Sequence, residues 1–144
     1  MITDAMFSSA TDEWETPQAV FDRQNKMFGF ELDVCATPQN AKCSRFYTKE
    51  QDGLKQRWAS RNWMNPPYGR SIGKWCARAS AEGGAGNLTV ALLPARTDTQ
   101  WFHEHCAVWH YTFLVGRLKF RSNGKEMQSA PFPSMLVFFG IPPR

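Results

Sequence analysis

A chain of 144 residues is long enough for one ordinary domain and too short for two of usual size. Its 42% hydrophobic and 14% aromatic content supports a packed core, and no apolar run approaches the roughly 20 residues of a membrane helix, so a soluble domain without membrane partners is expected. The net charge of +4 does not by itself identify a polyanion binder, but no acidic residue falls between Asp52 and Glu82, an interval holding Lys55, Arg57, Arg61, Arg70, Lys74 and Arg78.

Residues 1–13 read as a flexible N-terminal arm, and residues 14–144 as a single domain. The start has neither the basic residues nor the apolar stretch of a secretory signal, which fits a reducing cytoplasm. Thr16 followed by Pro17 is a helix-start signature: a capping hydroxyl, then the residue tolerated in the first turn. Val20, Phe21, Met27 and Phe28 recur at helical spacing and Gly29 can close the element, predicting a helix over 17–28. Phe30, Leu32 and Val34 alternate with Glu31 and Asp33, predicting a strand that ends near Cys35 and Ala36. From Thr37 to Arg57 the sequence is polar and irregular, and only short pieces can be placed.

Trp63 and Met64 end a second strand that runs into Asn65-Pro66-Pro67-Tyr68, where two prolines forbid both helix and ladder pairing. Ile72, Trp75, Cys76 and Ala79 fit one helical face, ending before Glu82. Leu88 to Leu93 reads as a buried strand stopped by Pro94. A helix around Thr99 to Cys106, a strand around Trp109 to Val115, a turn at Ser122-Asn123-Gly124-Lys125 and a strand over Ser134 to Phe139 complete the pattern. The alternation argues for an α/β three-layer sandwich with a mostly parallel, Rossmann-like sheet and a late antiparallel edge. In open α/β sheets ligands bind beyond the carboxyl ends of strands, where Asp33 and Asn65 both fall.

Cys35, Cys43, Cys76 and Cys106 lack the close spacing of a zinc site and read as free thiols. His103, His105 and Cys106 share one predicted helix and cannot easily aim at one ion, so no metal is expected.

The Asn-Pro-Pro-Tyr loop suits chemistry on an exocyclic amine. Such a nitrogen is a poor nucleophile because its lone pair is delocalised into the ring. Two acceptors, the Asn65 side-chain oxygen and the Pro66 carbonyl, can each take one amino hydrogen and turn the lone pair toward an incoming methyl group. The prolines fix the carbonyl's direction, and Tyr68 offers a flat face for a base that has left the duplex. Methyl transfer from a sulfonium is a direct displacement that requires neither a nucleophilic side chain nor a metal.

Asn-Pro-Pro-Tyr is the signature of amino-methyltransferases, and from Trp14 to Phe139 the chain resembles the small phage-type DNA adenine-N6 methyltransferase (Dam-like) family. The matching pieces include Trp14-Glu15-Thr16-Pro17, Leu32-Asp33-Val34-Cys35-Ala36, Asp52-Gly53-Leu54, Trp63-Met64-Asn65-Pro66-Pro67-Tyr68-Gly69, Leu93-Pro94-Ala95-Arg96-Thr97, Gly116-Arg117-Leu118-Lys119-Phe120 and Ala130-Pro131-Phe132-Pro133-Ser134. The resemblance implies a site-specific enzyme that flips adenine out of double-stranded DNA and methylates it with S-adenosylmethionine, as in phage or restriction-modification systems, with GATC as a candidate target. It further implies that Thr16 and Pro17 contact the methionine part of the cofactor, that Asp33, Cys35 and Ala36 form the strand-end cofactor loop, and that Asp52 binds the adenosine moiety. That loop departs from many methyltransferases in having no glycine.

Arg70, Lys74, Arg96 and Arg117 are candidate phosphate contacts, and Phe120 is a candidate second wall of the base pocket. A monomer or weak homodimer is expected. Related tetrapeptides act on RNA bases and on protein amides, and a non-catalytic DNA-binding relative is the alternative of a different class.

Overall fold

The computed structural model describes residues 14–122 and 125–143; the expected arm, residues 1–13, lies outside them. The first helix, α1, spans Gln18–Phe28, with Pro17 as its N-cap at φ −58°. Proline supplies that φ without cost, and its missing N–H would have been unpaired there in any case. The expected hydroxyl cap is not made: no side chain caps α1. Gly29 ends the helix in the left-handed region, φ +64°, and its N–H donates to the Asn25 carbonyl at 2.8 Å.

Strand β1, Leu32–Asp33, is shorter than the sequence suggests. Only these two residues pair in parallel with Asn62 and Trp63 of β2, Arg61–Met64. The Val34 N–H still donates to the Trp63 carbonyl at 3.1 Å, while on the strand's other side Asp33 bridges to Phe46 and the Ala36 N–H donates to the Tyr47 carbonyl. A 3₁₀ turn, Gly53–Lys55, precedes β2. Helix α2, Ile72–Gly84, follows the Asn-Pro-Pro-Tyr loop and buries Ile72, Trp75, Cys76, Ala79 and Gly83. These include the expected apolar positions. The helix runs past Glu82 because Arg78 pairs with Glu82 at 2.9 Å one turn on, and Gly83 packs closely against the backbone at Gly140.

Strands β3, Leu88–Pro94, and β7, Ser134–Phe139, are the centre of the sheet. Every residue of β7 is buried, and only Leu88 of β3 is not, as expected of strands covered on both faces. The order is β1-β2-β3-β7-β4, with β4 at His110–Phe113. The first three strands run parallel, whereas β7 is antiparallel to both β3 and β4. The late antiparallel strand is therefore inserted inside the sheet, not at its edge, and β4 points the same way as β1 to β3. As the edge strand, β4 leaves Phe113 half exposed.

Two further expectations change. The segment before β4 forms a π-helical turn over Phe102–Cys106, closed by the Ala107 N–H donating to the Phe102 carbonyl at 2.8 Å. Ser122 and Lys125 do not join β4 to β7 directly; they belong to a separate hairpin of β5, Arg121–Ser122, and β6, Lys125–Glu126, whose linking Asn123 and Gly124 lie outside the described residues. Among the described residues no helix is long and apolar enough to cross a membrane, and no cluster of three His, Cys, Asp or Glu side chains is placed to hold a metal.

The two glycines ending α2 separate packing from propensity. A Cβ on Gly83 would lie 2.7 Å from the Gly140 nitrogen, whereas one on Gly84 would meet nothing within 4 Å. Gly83→Ala should destabilise the fold by about 1–3 kcal/mol through overpacking. Gly84→Ala should stabilise it by about 0.5–1 kcal/mol through helix propensity. Urea unfolding of both variants checks the opposite signs.

Candidate active site at the strand ends

Because β1 to β4 share one direction, with β7 inverted among them, their C-terminal ends lie on one edge of the sheet. That edge carries Asp33, the Asn65 loop, Arg96 two residues past β3, and Arg117 four residues past β4. A cavity of about 510 Å³ opens there, within the range of about 300–1,000 Å³ usual for small-molecule and cofactor sites. Its walls include Trp14, Thr16, Asp33, Cys35, Ala36, Asp52, Asn65 and Pro67. The structure thus brings seven of the fifteen site residues singled out in the sequence into one cavity wall: Thr16, Asp33, Cys35, Ala36, Asp52, Asn65 and Pro67. Pro17, Pro66 and Tyr68 do not line it, and neither does any of Arg70, Lys74, Arg96, Arg117 and Phe120.

Asp33 is 3% exposed. Its two oxygens accept from the backbone N–H groups of Cys35, at 3.3 Å, and Lys42, at 3.0 Å. Burial pushes its carboxyl up to about 7, against the opposing pull of those two hydrogen bonds and the Lys42 charge. Burial also lowers the Lys42 ammonium from its ordinary value.

Asp52 sits at φ +56°, the only described non-glycine residue in the left-handed region. Its Oδ1 accepts from the Leu54 N–H at 3.1 Å and caps the 3₁₀ turn. Gly53 explains the strain: a Cβ there would lie 2.1 Å from the Val34 carbonyl oxygen, so this loop is pressed against the loop after β1. Arg78 of α2 holds the same loop from the other side, donating to the carbonyls of Leu54 at 2.8 Å and Gln56 at 2.6 Å while its guanidinium lies 4.7 Å from the Trp58 ring centre. Arg78 therefore leaves the basic interval as a structural cation. Arg61 likewise donates to the Gly29 carbonyl at 3.0 Å.

Asn65 and Asn62 make an instructive contrast. Asn62 is fully buried and satisfied at both ends: Nδ2 donates to the carbonyls of Ala59 and Leu88, and Oδ1 accepts from the Ala59 N–H at 2.9 Å. Asn65 Nδ2 donates to the Trp14 carbonyl and to Thr16 Oγ1, the latter at 2.9 Å. Asn65 Oδ1 is buried with no hydrogen-bond partner. An orphaned buried acceptor costs about 1–3 kcal/mol.

Tyr68 and Phe120 depart from expectation. Tyr68 is 4% exposed, donates its hydroxyl to the Leu92 carbonyl at 2.8 Å, and stands perpendicular to Phe120 and Phe132. It anchors the loop to β3; its ring offers no open face for a stacked base. Phe120 is fully buried beside Trp14, Tyr68 and Phe132, so it packs within the core and has no exposed face to form a second wall for a base. Arg70, Lys74, Arg96 and Arg117 are exposed.

Lys42, Thr48, Lys49, Leu54, Ser71 and Trp75 also line the cavity. Sequence reading missed them because most lie in irregular chain without periodicity; Ser71 and Trp75 were recoverable only from their position just beyond the loop.

The fold and site define an α/β protein with a cofactor-sized crevice at its strand ends and an Asn-Pro-Pro-Tyr loop in the wall. The chain belongs to the DNA N-6-adenine-methyltransferase (Dam) family, whose model it matches over residues 4–141. It is 34% identical over 96 residues to a DNA N-6-adenine-methyltransferase of Escherichia phage T1, an alignment covering 65% of this chain and 40% of the phage protein. It is 38% identical over 65 residues to the "Putative methyltransferase YfdM" of Escherichia coli strain K12, covering 40% of this chain and 71% of that one. The chain thus spans less than half the length of the phage relative.

The raised Asp33 carboxyl gives a signed pH dependence. A folded-state value near 7, above the unfolded 3.8, means that Asp33 stabilises fully below about pH 4 and that this contribution is lost as pH rises through 7. In ligand-free protein, urea midpoints from pH 5 to 8 should fall more steeply for the parent than for Asp33→Asn, whatever the variant's absolute stability. Parallel profiles would contradict it.

Proposed function

We propose that this chain transfers a methyl group from S-adenosylmethionine to the exocyclic N6 of adenine in double-stranded DNA, acting on a base flipped out of the duplex. The observation that carries the reading is the buried, unpartnered Oδ1 of Asn65, on a residue in the cavity wall. An amino hydrogen of the substrate would supply the missing donor and recover the cost of leaving it unpaired. The Pro66 carbonyl would accept the second amino hydrogen. Held by two acceptors, the nitrogen becomes more tetrahedral and its lone pair is directed away from the ring.

The residues present fit the donor. The cavity has the required size, Trp75 and Leu54 give it apolar wall, Ala36 and Gly53 allow close approach, and Asp33 and Asp52 place acidic groups where a cationic, hydroxyl-bearing ligand needs acceptors. When bound, S-adenosylmethionine supplies an electrophilic methyl group on a sulfonium. Asp33 and Asp52 would bind and orient it, with Cys35 and Ala36 completing its surroundings. Tyr68 fixes the loop through Leu92, so that the two acceptors keep their places. Arg70, Lys74, Arg96 and Arg117, exposed and outside the cavity, would take DNA phosphates. A three-layer, Rossmann-like arrangement of the sheet belongs to the same reading.

Labelled methyl transfer to DNAs of varied sequence, GATC included, with the product base identified by mass, tests donor, acceptor and specificity together. Transfer only to RNA or to a protein amide would overturn the substrate. Asn65→Ala should abolish methylation and leave the cofactor dissociation constant within about twofold, whereas loss of both would make Asn65 structural. Asp52→Ala should weaken cofactor binding roughly tenfold or more, in line with a lost charge-assisted hydrogen bond. Calorimetry reads both.

A further inference from the structure

We infer that Thr16 is a positioning residue for the Asn65 carboxamide: its hydroxyl and the Trp14 carbonyl together hold the amide so that Oδ1 is the end left for substrate. A primary amide has two hydrogens on nitrogen and two lone pairs on oxygen, and its two ends have nearly the same shape. A carbonyl oxygen such as that of Trp14 only accepts, so the end of Asn65 that meets it must be Nδ2. Thr16 Oγ1 takes the second amide hydrogen at 2.9 Å. Both hydrogens are then committed, and rotating the amide by 180° would set Oδ1 against the Trp14 oxygen, two acceptors face to face.

The segment that makes this clamp is itself held rigidly. Glu15 pairs with Arg121 of β5 through both backbone hydrogen bonds, at 3.0 and 3.1 Å. Trp14 is 2% exposed and perpendicular to Phe120 and Phe132, each 5.4 Å away between ring centres. Thr16, one residue beyond the Glu15 bridge, is 3% exposed, and Pro17 then fixes the turn into α1. Thr16 does not cap α1, which leaves its hydroxyl to Asn65.

The inference rests on Asn65 Oδ1 being the substrate's acceptor, and it changes what Thr16 does in that site. In Thr16→Val, nearly the same in shape, one amide hydrogen loses its partner. Methyl-transfer kcat should fall roughly tenfold to hundredfold, as for a misplaced catalytic group, with the cofactor dissociation constant unchanged within about twofold. Thr16→Ser, which keeps the hydroxyl, should return kcat to within about threefold of the parent. A raised cofactor dissociation constant with kcat intact would make Thr16 a cofactor contact instead, and Thr16→Ser as impaired as Thr16→Val would reduce it to packing.

A measurement on the unsubstituted protein holds even where Thr16→Val does not fold. Both Asn65 side-chain amide hydrogens, assigned through loss of their signals in Asn65→Ala, should exchange with solvent at least tenfold more slowly than those of asparagine in an unstructured reference peptide at the same pH and temperature. Fast exchange of either hydrogen overturns the clamp. If Asn65→Ala retains methylation, the acceptor role of Asn65 falls while the exchange experiment still decides whether the clamp exists.

Discussion

A carbonyl oxygen can only accept a hydrogen bond, and that constraint at Trp14 organises the site. It decides which end of Asn65 turns away from the N-terminal segment. The rest of the strand-end edge keeps the two partners in place. Tyr68 ties the loop to β3, Glu15 ties the N-terminal segment to β5, and the rings of Trp14, Tyr68, Phe120 and Phe132 fill the space between them. An amide in water turns freely; one set in this frame has a fixed polarity, the preorganisation on which electrostatic and positional effects depend.

The opposite wall of the cavity is built on a different principle. Around Asp33 and Asp52 the chain is irregular, and its shape comes from backbone hydrogen bonds to carboxylates, from the close approach of Gly53 to Val34, and from the guanidinium of Arg78 reaching out of α2. The two acids consequently differ in kind: Asp33 is enclosed and resists ionisation, while Asp52 is only partly buried and bears its strain in the backbone.

What was legible in the sequence follows from this division. Helix α1, its Gly29 terminus, the buried face of α2 and the strand before Asn-Pro-Pro-Tyr all rest on local periodicity and local chain stiffness, and each could be read residue by residue. The grouping of Asp33 with Asn65 followed from a topological rule about strand ends. Thr16 was misread as a helix cap because a hydroxyl before proline satisfies a local pattern, while its partner, Asn65, is 49 residues away. Tyr68 and Phe120 were misread for the same reason: their burial is decided by one another and by Phe132, which no local pattern discloses. The insertion of β7 between β3 and β4 is likewise a nonlocal pairing, Thr89 with Phe139 at one end and Pro94 with Ser134 at the other.

That insertion bears on how the protein comes into being. The central ladder of the sheet joins β3 to β7, far along the sequence, and the segment that orients Asn65 is held by a hairpin that itself comes well after the loop. Pairings so distant along the chain form slowly, since loop closure has to precede the contacts that reward it. During synthesis the Asn-Pro-Pro-Tyr loop emerges with its parallel neighbours β1 and β2 long before either support exists. A partly made chain would therefore carry the loop without the frame that gives its amide a direction, and competence at the site would wait for β5 and for the rings of Phe120 and Phe132.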